Sequence, residues 1–204
     1  MMERLVCVAI GYLFGLFQTA YIYGKLHGID IRNYGSGNAG TTNTLRTLGK
    51  PAGYIVFLGD ALKAVFAVWI VRYLLFPGLG DVTKILETVT ALGVVLGHNY
   101  PFYMHFKGGK GIAATGGFMF ALDVRIALIA AIVFAVVFFT TRYVSVGSLT
   151  ITALFPILML IFYPGQWVVF GLSLIFTALA WWRHRANIKR LMNGTENKFE
   201  KKKK

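Results

Sequence analysis

One cysteine, Cys7, and eight carboxylates in 204 residues are the first constraints this chain sets. A single thiol forms no internal disulfide and builds no cysteine-spaced metal site. The carboxylates are Glu3, Asp30, Asp60, Asp81, Glu87, Asp123, Glu196 and Glu200, and only Glu196 and Glu200 lie close enough in sequence to suggest a pair. No histidine spacing of a metal-binding kind occurs, and nothing nominates a Ser-His-Asp triad. Charge is scarce altogether. Asp, Glu, Lys and Arg make up 14% of the chain, hydrophobic residues 56%, and mean hydropathy is +0.62. That is too little charge to cover a globular surface, so an ordinary soluble domain is excluded and lipid must cover much of the exterior.

The few charges are unbalanced, giving a net charge of +13. Basic residues sit beside apolar runs, which points to anionic headgroups or anionic substrates and away from nucleic acid. Seven apolar segments are expected: 5–26, 53–76, 85–104, a short one at 112–122, 126–141, 149–163 and 166–182. The short one falls below the ~20 residues of an ordinary span, so it is either extended by Lys110-Gly111 or packed inside the bundle. The first segment lacks a trustworthy cleavage site and reads as a retained helix. Lys25, Arg32, Arg46, Lys50, Lys107, Lys110 and Arg142 fall in alternate connections, and the segment from Arg183 carries nine positives against two acids. Positive residues mark the inner side. The expectation is therefore an all-α, polytopic integral membrane helix bundle of about seven transmembrane helices, one of them short. Its N-terminus lies outside and its C-terminus is cytoplasmic. Five crossings are the fallback. Residues 1–192 form one membrane-embedded domain and 193–204 a basic cytoplasmic tail, with Lys201–Lys204 solvated or drawn to anionic lipid. There is no internal repeat of the kind that many transporters show.

Three polar blocks interrupt this pattern. The first is Gly35-Ser36-Gly37-Asn38-Ala39-Gly40-Thr41-Thr42-Asn43, with Arg46 three residues on. It contains no acid. Glycines let backbone N–H groups crowd an anion, Ser36, Asn38, Thr42 and Asn43 add neutral donors, and Arg46 can fork onto a phosphate. The plain alternative is a flexible turn. Its Gly-x-Gly-x-x-Gly spelling follows a membrane span instead of a strand, so it is no dinucleotide fingerprint. The second block is Gly97-His98-Asn99-Tyr100-Pro101 through Phe106-Lys107-Gly108-Gly109-Lys110-Gly111. It lacks the first glycine and the final hydroxyl of a nucleoside-triphosphate loop, yet Lys107, Gly108, Gly109 and Lys110 can still meet a phosphate. The alternative is close helix packing through glycine. His98, at membrane depth, is a functional candidate by default, with a satisfied interfacial histidine as the alternative. Asp60 and Lys63 share a helix face and read as a buried structural pair, since a bare charge there costs about 2.5–3.5 kcal/mol. The third block runs Arg183-His184-Arg185 to Glu196. It can carry His184, Asn187 and Leu191 on one helix face, or be a basic interfacial helix.

Together the blocks Gly35-Ser36-Gly37-Asn38-x-Gly40-x-Thr42-Asn43-x-x-Arg46, Gly97-His98-x-x-Pro101 to Phe106-x-Gly108-Gly109-Lys110-Gly111, and His184-x-x-Asn187-Ile188-x-Arg190-Leu191-x-x-Gly194-x-Glu196 resemble the bacterial membrane acyl-phosphate:glycerol-3-phosphate acyltransferases. The resemblance covers nearly the whole chain. It implies transfer of an acyl group from acyl phosphate to the sn-1 hydroxyl of glycerol 3-phosphate, giving lysophosphatidic acid and phosphate. It implies no cofactor and no metal, and a multi-pass protein of the bacterial inner membrane with its site at the cytoplasmic face. The partners are acyl phosphate, glycerol 3-phosphate and membrane lipid, with no nucleic acid, and the chain acts as a monomer. Ser36, Gly37, Asn38 and neighbouring amides, among them Gly35 and Gly40, are expected to cradle acyl phosphate, with Thr42 and Asn43 beside them. Arg46, Lys107 and Lys110 hold phosphates with Gly108 and Gly109, His184 and Asn187 orient glycerol 3-phosphate, and Arg190 and Glu196 fix their segment. The hydroxyl proton passes to His98, to His184 or to a substrate phosphate; the residues alone leave all three open. An alternative function is a carrier for a phosphorylated small solute.

Overall fold

The computed structural model describes residues 1–199. The Lys201–Lys204 run, expected to be a solvated tail, lies outside the described residues. Among these residues every regular element is helical, and the chain divides into two compact units, Met1–Val124 and the part from Arg125 onward.

The first unit holds α1 (Met2–Gly15), α2 (Thr19–Leu26), α3 (Thr41–Leu48), α4 (Lys50–Trp69, continuing as a π-helix over Ile70–Leu75), α5 (Asp81–Asn99) and α6 (Ile112–Leu122). Met2–Leu26 and Lys50–Leu75 are long and apolar enough to cross a membrane. The first was expected as one unbroken helix and is two. Buried Gln18 explains the break: its Nε2 lies 3.0 Å from the Gly15 carbonyl, 3.3 Å from that of Gly97 and 3.1 Å from that of His98. A buried side-chain N–H group that donates to neighbouring backbone competes with the helix of its own chain. The connection after α2, expected as a glycine-rich loop, contains α3, so Thr41, Thr42 and Asn43 form the first turn of a helix.

Glycine sets the closeness of this unit. Gly11 and Gly15 on α1 face Gly93 and Gly97 on α5. A Cβ on Gly11 would collide with the Thr90 carbonyl, one on Gly93 with that of Val8 and one on Gly97 with that of Tyr12. Four-residue spacing puts each pair on one helix face, which allows the backbones to touch in a lipid setting where area burial alone drives little association. Packed this way, α5 buries residues along most of its length, Leu86, Val94 and His98 among them. The 11-residue α6 is also buried, with Phe118 and Met119 fully covered and Gly117 against the backbone of Ala61. It packs inside the unit as the short member of the bundle.

The second unit consists of α7 (Val124–Thr141, starting at the boundary), α8 (Val144–Phe162), α9 (Trp167–Arg183) and α10 (Arg185–Met192). α7 and α8 are long and apolar enough to cross a membrane, and α9 is a shorter apolar helix. Pro156 lies inside α8 and has no N–H for the Thr152 carbonyl. The Thr177 hydroxyl of α9 donates to that carbonyl at 2.6 Å. α8 begins five residues before the apolar segment expected at 149, because its first turns carry Ser145 and Ser148, whose polarity hides the helix from a hydropathy reading. Residues 193–199, the described part of the expected basic tail, pack within this unit: the Phe199 amide donates to the Arg142 carbonyl at 2.9 Å and its ring packs on Phe138.

Candidate active site

The first block is organised by Asn43. Its Nδ2 donates to the carbonyls of Ile31 and Tyr34, both at 3.0 Å, and its Oδ1 accepts from the Ser36 amide at 2.8 Å. Every polar atom of this buried side chain is spent on the preceding loop, so Asn43 is a brace. The Gly37 amide donates to the Tyr34 carbonyl and the Gly40 amide to that of Asn38, each at 3.0 Å. Gly35 and Gly37 adopt φ of 57° and 71°, which the tight turn demands. The amides of Ser36, Gly37 and Gly40 therefore close the loop on itself and do not form the expected cradle. What the loop turns outward is different. Ser36 and Arg46 are exposed, Asn38 and Thr42 half-buried. Gly40 caps α3 without a side chain, leaving first-turn amides of an α-helix as anion donors, and Arg46 stands one turn from Thr42.

The second block follows the same logic. The Gly108 amide donates to the Asn99 carbonyl at 3.2 Å and the Gly109 amide to that of His98 at 3.0 Å, so both close the C-terminus of α5. His105 and Phe106, neither a glycine, sit at φ of 54° and 58°. Two successive residues in the left-handed region cost free energy and need surrounding support. Support comes from Arg32, which donates to the Met104 carbonyl at 3.4 Å while paired with Asp30 at 2.7 Å. Hydrogen bonding from Arg32 holds the Asp30 carboxyl below the usual range. Gly111, at φ 79°, caps α6 without a side chain. Lys107 is exposed and Lys110 half-buried beside this helix start.

These two blocks meet. A Cβ on Gly109 would stand 2.8 Å from the Ala39 carbonyl and would collide with His98 Nε2. Beneath them lies a buried polar network that the sequence offered only as an Asp60–Lys63 pair. Lys63 Nζ lies 2.8 Å from Asp60 Oδ1, 2.8 Å from His98 Nδ1 and 2.7 Å from the Phe17 carbonyl, and the Thr19 hydroxyl donates to Asp60 at 3.0 Å. The break in the first apolar run exposes that Phe17 carbonyl. An apolar groove of about 550 Å³, lined by Leu13, Phe14, Phe17, Leu62 and Phe66, runs past Lys63.

The third block is built within the second unit. His184 caps α10, and its Nδ1–H donates to the Ala180 carbonyl at 2.7 Å, which makes Nε2 the acceptor of the neutral ring. Asn187 Nδ2 donates to Glu196 Oε1 at 2.6 Å, and Arg190 Nε donates to Oε2 at 2.7 Å. The Ser145 hydroxyl adds a third bond to Glu196, 2.9 Å from Oε1. Burial alone would raise the Glu196 carboxyl, but the bonds from Asn187, Ser145 and Arg190 outweigh it and hold it below the ordinary glutamate range. Ser145 was missed from sequence, because it precedes Glu196 by 51 residues and carries no local signal.

The glycerol-3-phosphate acyltransferase family model matches residues 5–194, which include the first two blocks and the third as far as Gly194. The chain belongs to this family. It is 43% identical over 200 residues to the glycerol-3-phosphate acyltransferase of Clostridioides difficile (strain 630), covering 98% of this chain and 97% of that one. It is 40% identical over 199 residues to that of Aquifex aeolicus (strain VF5), covering 97% and 100%. Among solved structures it resembles PlsY (YgiH), an integral membrane glycerol 3-phosphate acyltransferase. The glycerol 3-phosphate form gives a TM-score of 0.88 at 38% identity, covering 97% of this chain and 96% of that one. The lysophosphatidic acid form gives 0.85 at 37%, covering 97% and 95%. Membership makes this an acyltransferase and sets aside the carrier. In an enzyme of this family, the helix starts at Gly40 and Gly111, with Arg46 and Lys110 beside them, suit substrates that bear phosphate.

Proposed function

We propose that this acyltransferase moves an acyl group from acyl phosphate to the sn-1 hydroxyl of glycerol 3-phosphate. The hydroxyl oxygen forms a bond to the acyl carbon, the bond from that carbon to the phosphate oxygen breaks, and lysophosphatidic acid and inorganic phosphate leave. The observation that carries the reading is the packing of Gly109 on Ala39, which brings together two cation-bearing helix starts within one unit. Two substrate phosphates repel each other, and amide dipoles with cations offset that repulsion while positioning the reacting atoms. Acyl phosphate is a mixed anhydride with a good leaving group, so no covalent nucleophile is required. Ser36, Asn38, Thr42 and the first-turn amides of α3 receive the acyl phosphate, and Arg46, Lys107 and Lys110 hold phosphate oxygens. His184 and Asn187 orient glycerol 3-phosphate, with Glu196 and Arg190 fixing their segment. Donors aimed at the developing oxyanion and the departing phosphate carry most of the rate gain, and the departing phosphate takes the hydroxyl proton. The acyl chain lies in the groove past Phe17 and Phe66.

We further read the protein as a monomer of the bacterial inner membrane with seven crossings, its N-terminus outside and its site at the cytoplasmic face. Residues 1–192 act as one catalytic domain, followed by the basic tail. The test is turnover in detergent micelles. With acyl phosphate and glycerol 3-phosphate, lysophosphatidic acid accumulates without a sealed membrane; product formed from acyl-CoA and not from acyl phosphate overturns the choice of donor.

A further inference from the structure

Three acceptors converge on Lys63 Nζ: the Phe17 carbonyl at 2.7 Å, Asp60 Oδ1 at 2.8 Å and His98 Nδ1 at 2.8 Å. An ammonium has three donors and no lone pair. A carbonyl and a carboxylate, the latter shared with the Thr19 hydroxyl, can only accept. Once those donors are assigned, His98 Nδ1 must also bring a lone pair, and the neutral ring carries its proton on Nε2. A ring protonated on both nitrogens would aim Nδ1–H at the ammonium. Lys63, Asp60 and His98 are 5%, 1% and 4% exposed, so water does not substitute for any of these partners. The charged groups facing the ring from α4 are Asp60 and Lys63. The break between α1 and α2 brings only neutral Gln18 and Thr19, and the second loop brings Gly109 with Lys110 next in the chain. Nε2 lies directly under Gly109, where that loop packs on Ala39.

We infer that Lys63 is a positioning residue that fixes His98 as its Nε2–H tautomer, so that His98 acts as a hydrogen-bond donor bracing the two loops and not as the acceptor of the glycerol hydroxyl proton. This removes one of the three acceptors that the residues alone leave open. The kinetic part rests on the acyl-transfer reading; the tautomer does not.

The experiment uses the full chain in micelles, labelled with nitrogen-15 in histidine and observed by NMR near neutral pH, with the His98 signal assigned by its loss in His98→Gln. The expected wild-type ring is neutral, with a proton on Nε2 and a lone pair on Nδ1, and Lys63→Met mixes the two tautomers. A Lys63 that merely paired with Asp60 would leave the tautomer unchanged on substitution. In turnover, His98→Gln places an amide N–H where Nε2 stood and keeps kcat within about tenfold, whereas His98→Ala loses about 10²-fold, the scale expected when unbraced loops misplace the reacting groups by about 1 Å. A wild-type ring protonated on Nδ1 overturns the inference, as does an unchanged tautomer in Lys63→Met. So does His98→Gln falling as far as His98→Ala, by the roughly 10²–10⁴-fold of a lost general base. If Lys63→Met does not fold, Lys63→Met/Asp60→Asn removes the stranded carboxylate, and the wild-type spectrum with the His98→Gln comparison decides independently. An Nε2–H ring in a protein that transfers no acyl group would contradict the acyl-transfer reading and leave the tautomer assignment standing.

Discussion

Asn43 and Gly109 show how single side chains, or the lack of one, hold the two loops. Asn43→Leu strands the Ile31 and Tyr34 carbonyls and the Ser36 amide. An unsatisfied buried backbone group costs about 1–3 kcal/mol, so the variant should lose several kcal/mol at most and lower the melting temperature measurably. Activity should fall further than stability accounts for, because the start of α3 loses its register. An Asn43→Leu protein with wild-type melting temperature and turnover would remove the bracing role. Gly109→Ala acts differently. Its methyl meets His98 and the Ala39 carbonyl, so the loops must separate. Overpacking costs about 1–3 kcal/mol, while kcat/KM with both phosphate substrates should drop about 10²-fold or more, the scale expected when reacting groups are misplaced by about 1 Å. Steady-state kinetics on folded variant protein reads this directly, and an unchanged kcat/KM would show that the contact has no bearing on substrate.

At the scale of the element, α10 depends on Glu196. The carboxylate is depressed in the folded protein, so its contribution is present above the ordinary glutamate value of 4.5 and is lost as pH falls through the lower folded value. Amide exchange of α10 should be flat from neutral pH down to the region of 4.5 and accelerate below it, relative to α8. Glu196→Gln should remove that acid-dependent step; its persistence would assign the step to another group. This cluster also marks what the sequence makes legible. The His184, Asn187 and Leu191 spacing identifies a helix face because three- and four-residue intervals are local. Ser145 is invisible for the opposite reason, since only tertiary folding brings it to Glu196. The break at Leu16–Gln18 was hidden because hydropathy averages over Gln18, whereas its amide acts through α5 carbonyls that sequence does not position. α3 was hidden because Thr, Asn and Gly in succession look like turn chemistry, and the helix is set by the Asn43 brace. The glycine blocks stand out in the sequence as loops for an anion, yet the amides of Ser36, Gly37, Gly40, Gly108 and Gly109 close the backbone on itself.

For the molecule as a whole, family membership and the apolar helices give a membrane acyltransferase, and the orientation proposed for it is open to labelling. Cys7 is fully buried, which leaves a low background for labelling. Cysteines placed at Asn33 and at Gly78 in intact cells should differ: Gly78→Cys reacts with a membrane-impermeant maleimide and Asn33→Cys reacts only after permeabilisation. The reverse pattern would invert the proposed orientation. The central claim concerns which bond is made. With glycerol 3-phosphate carrying oxygen-18 in its sn-1 hydroxyl and acyl phosphate as donor, mass spectrometry should find the label in the ester of lysophosphatidic acid and none in the released phosphate. Label in the phosphate, or no ester from acyl phosphate, would contradict attack at the acyl carbon.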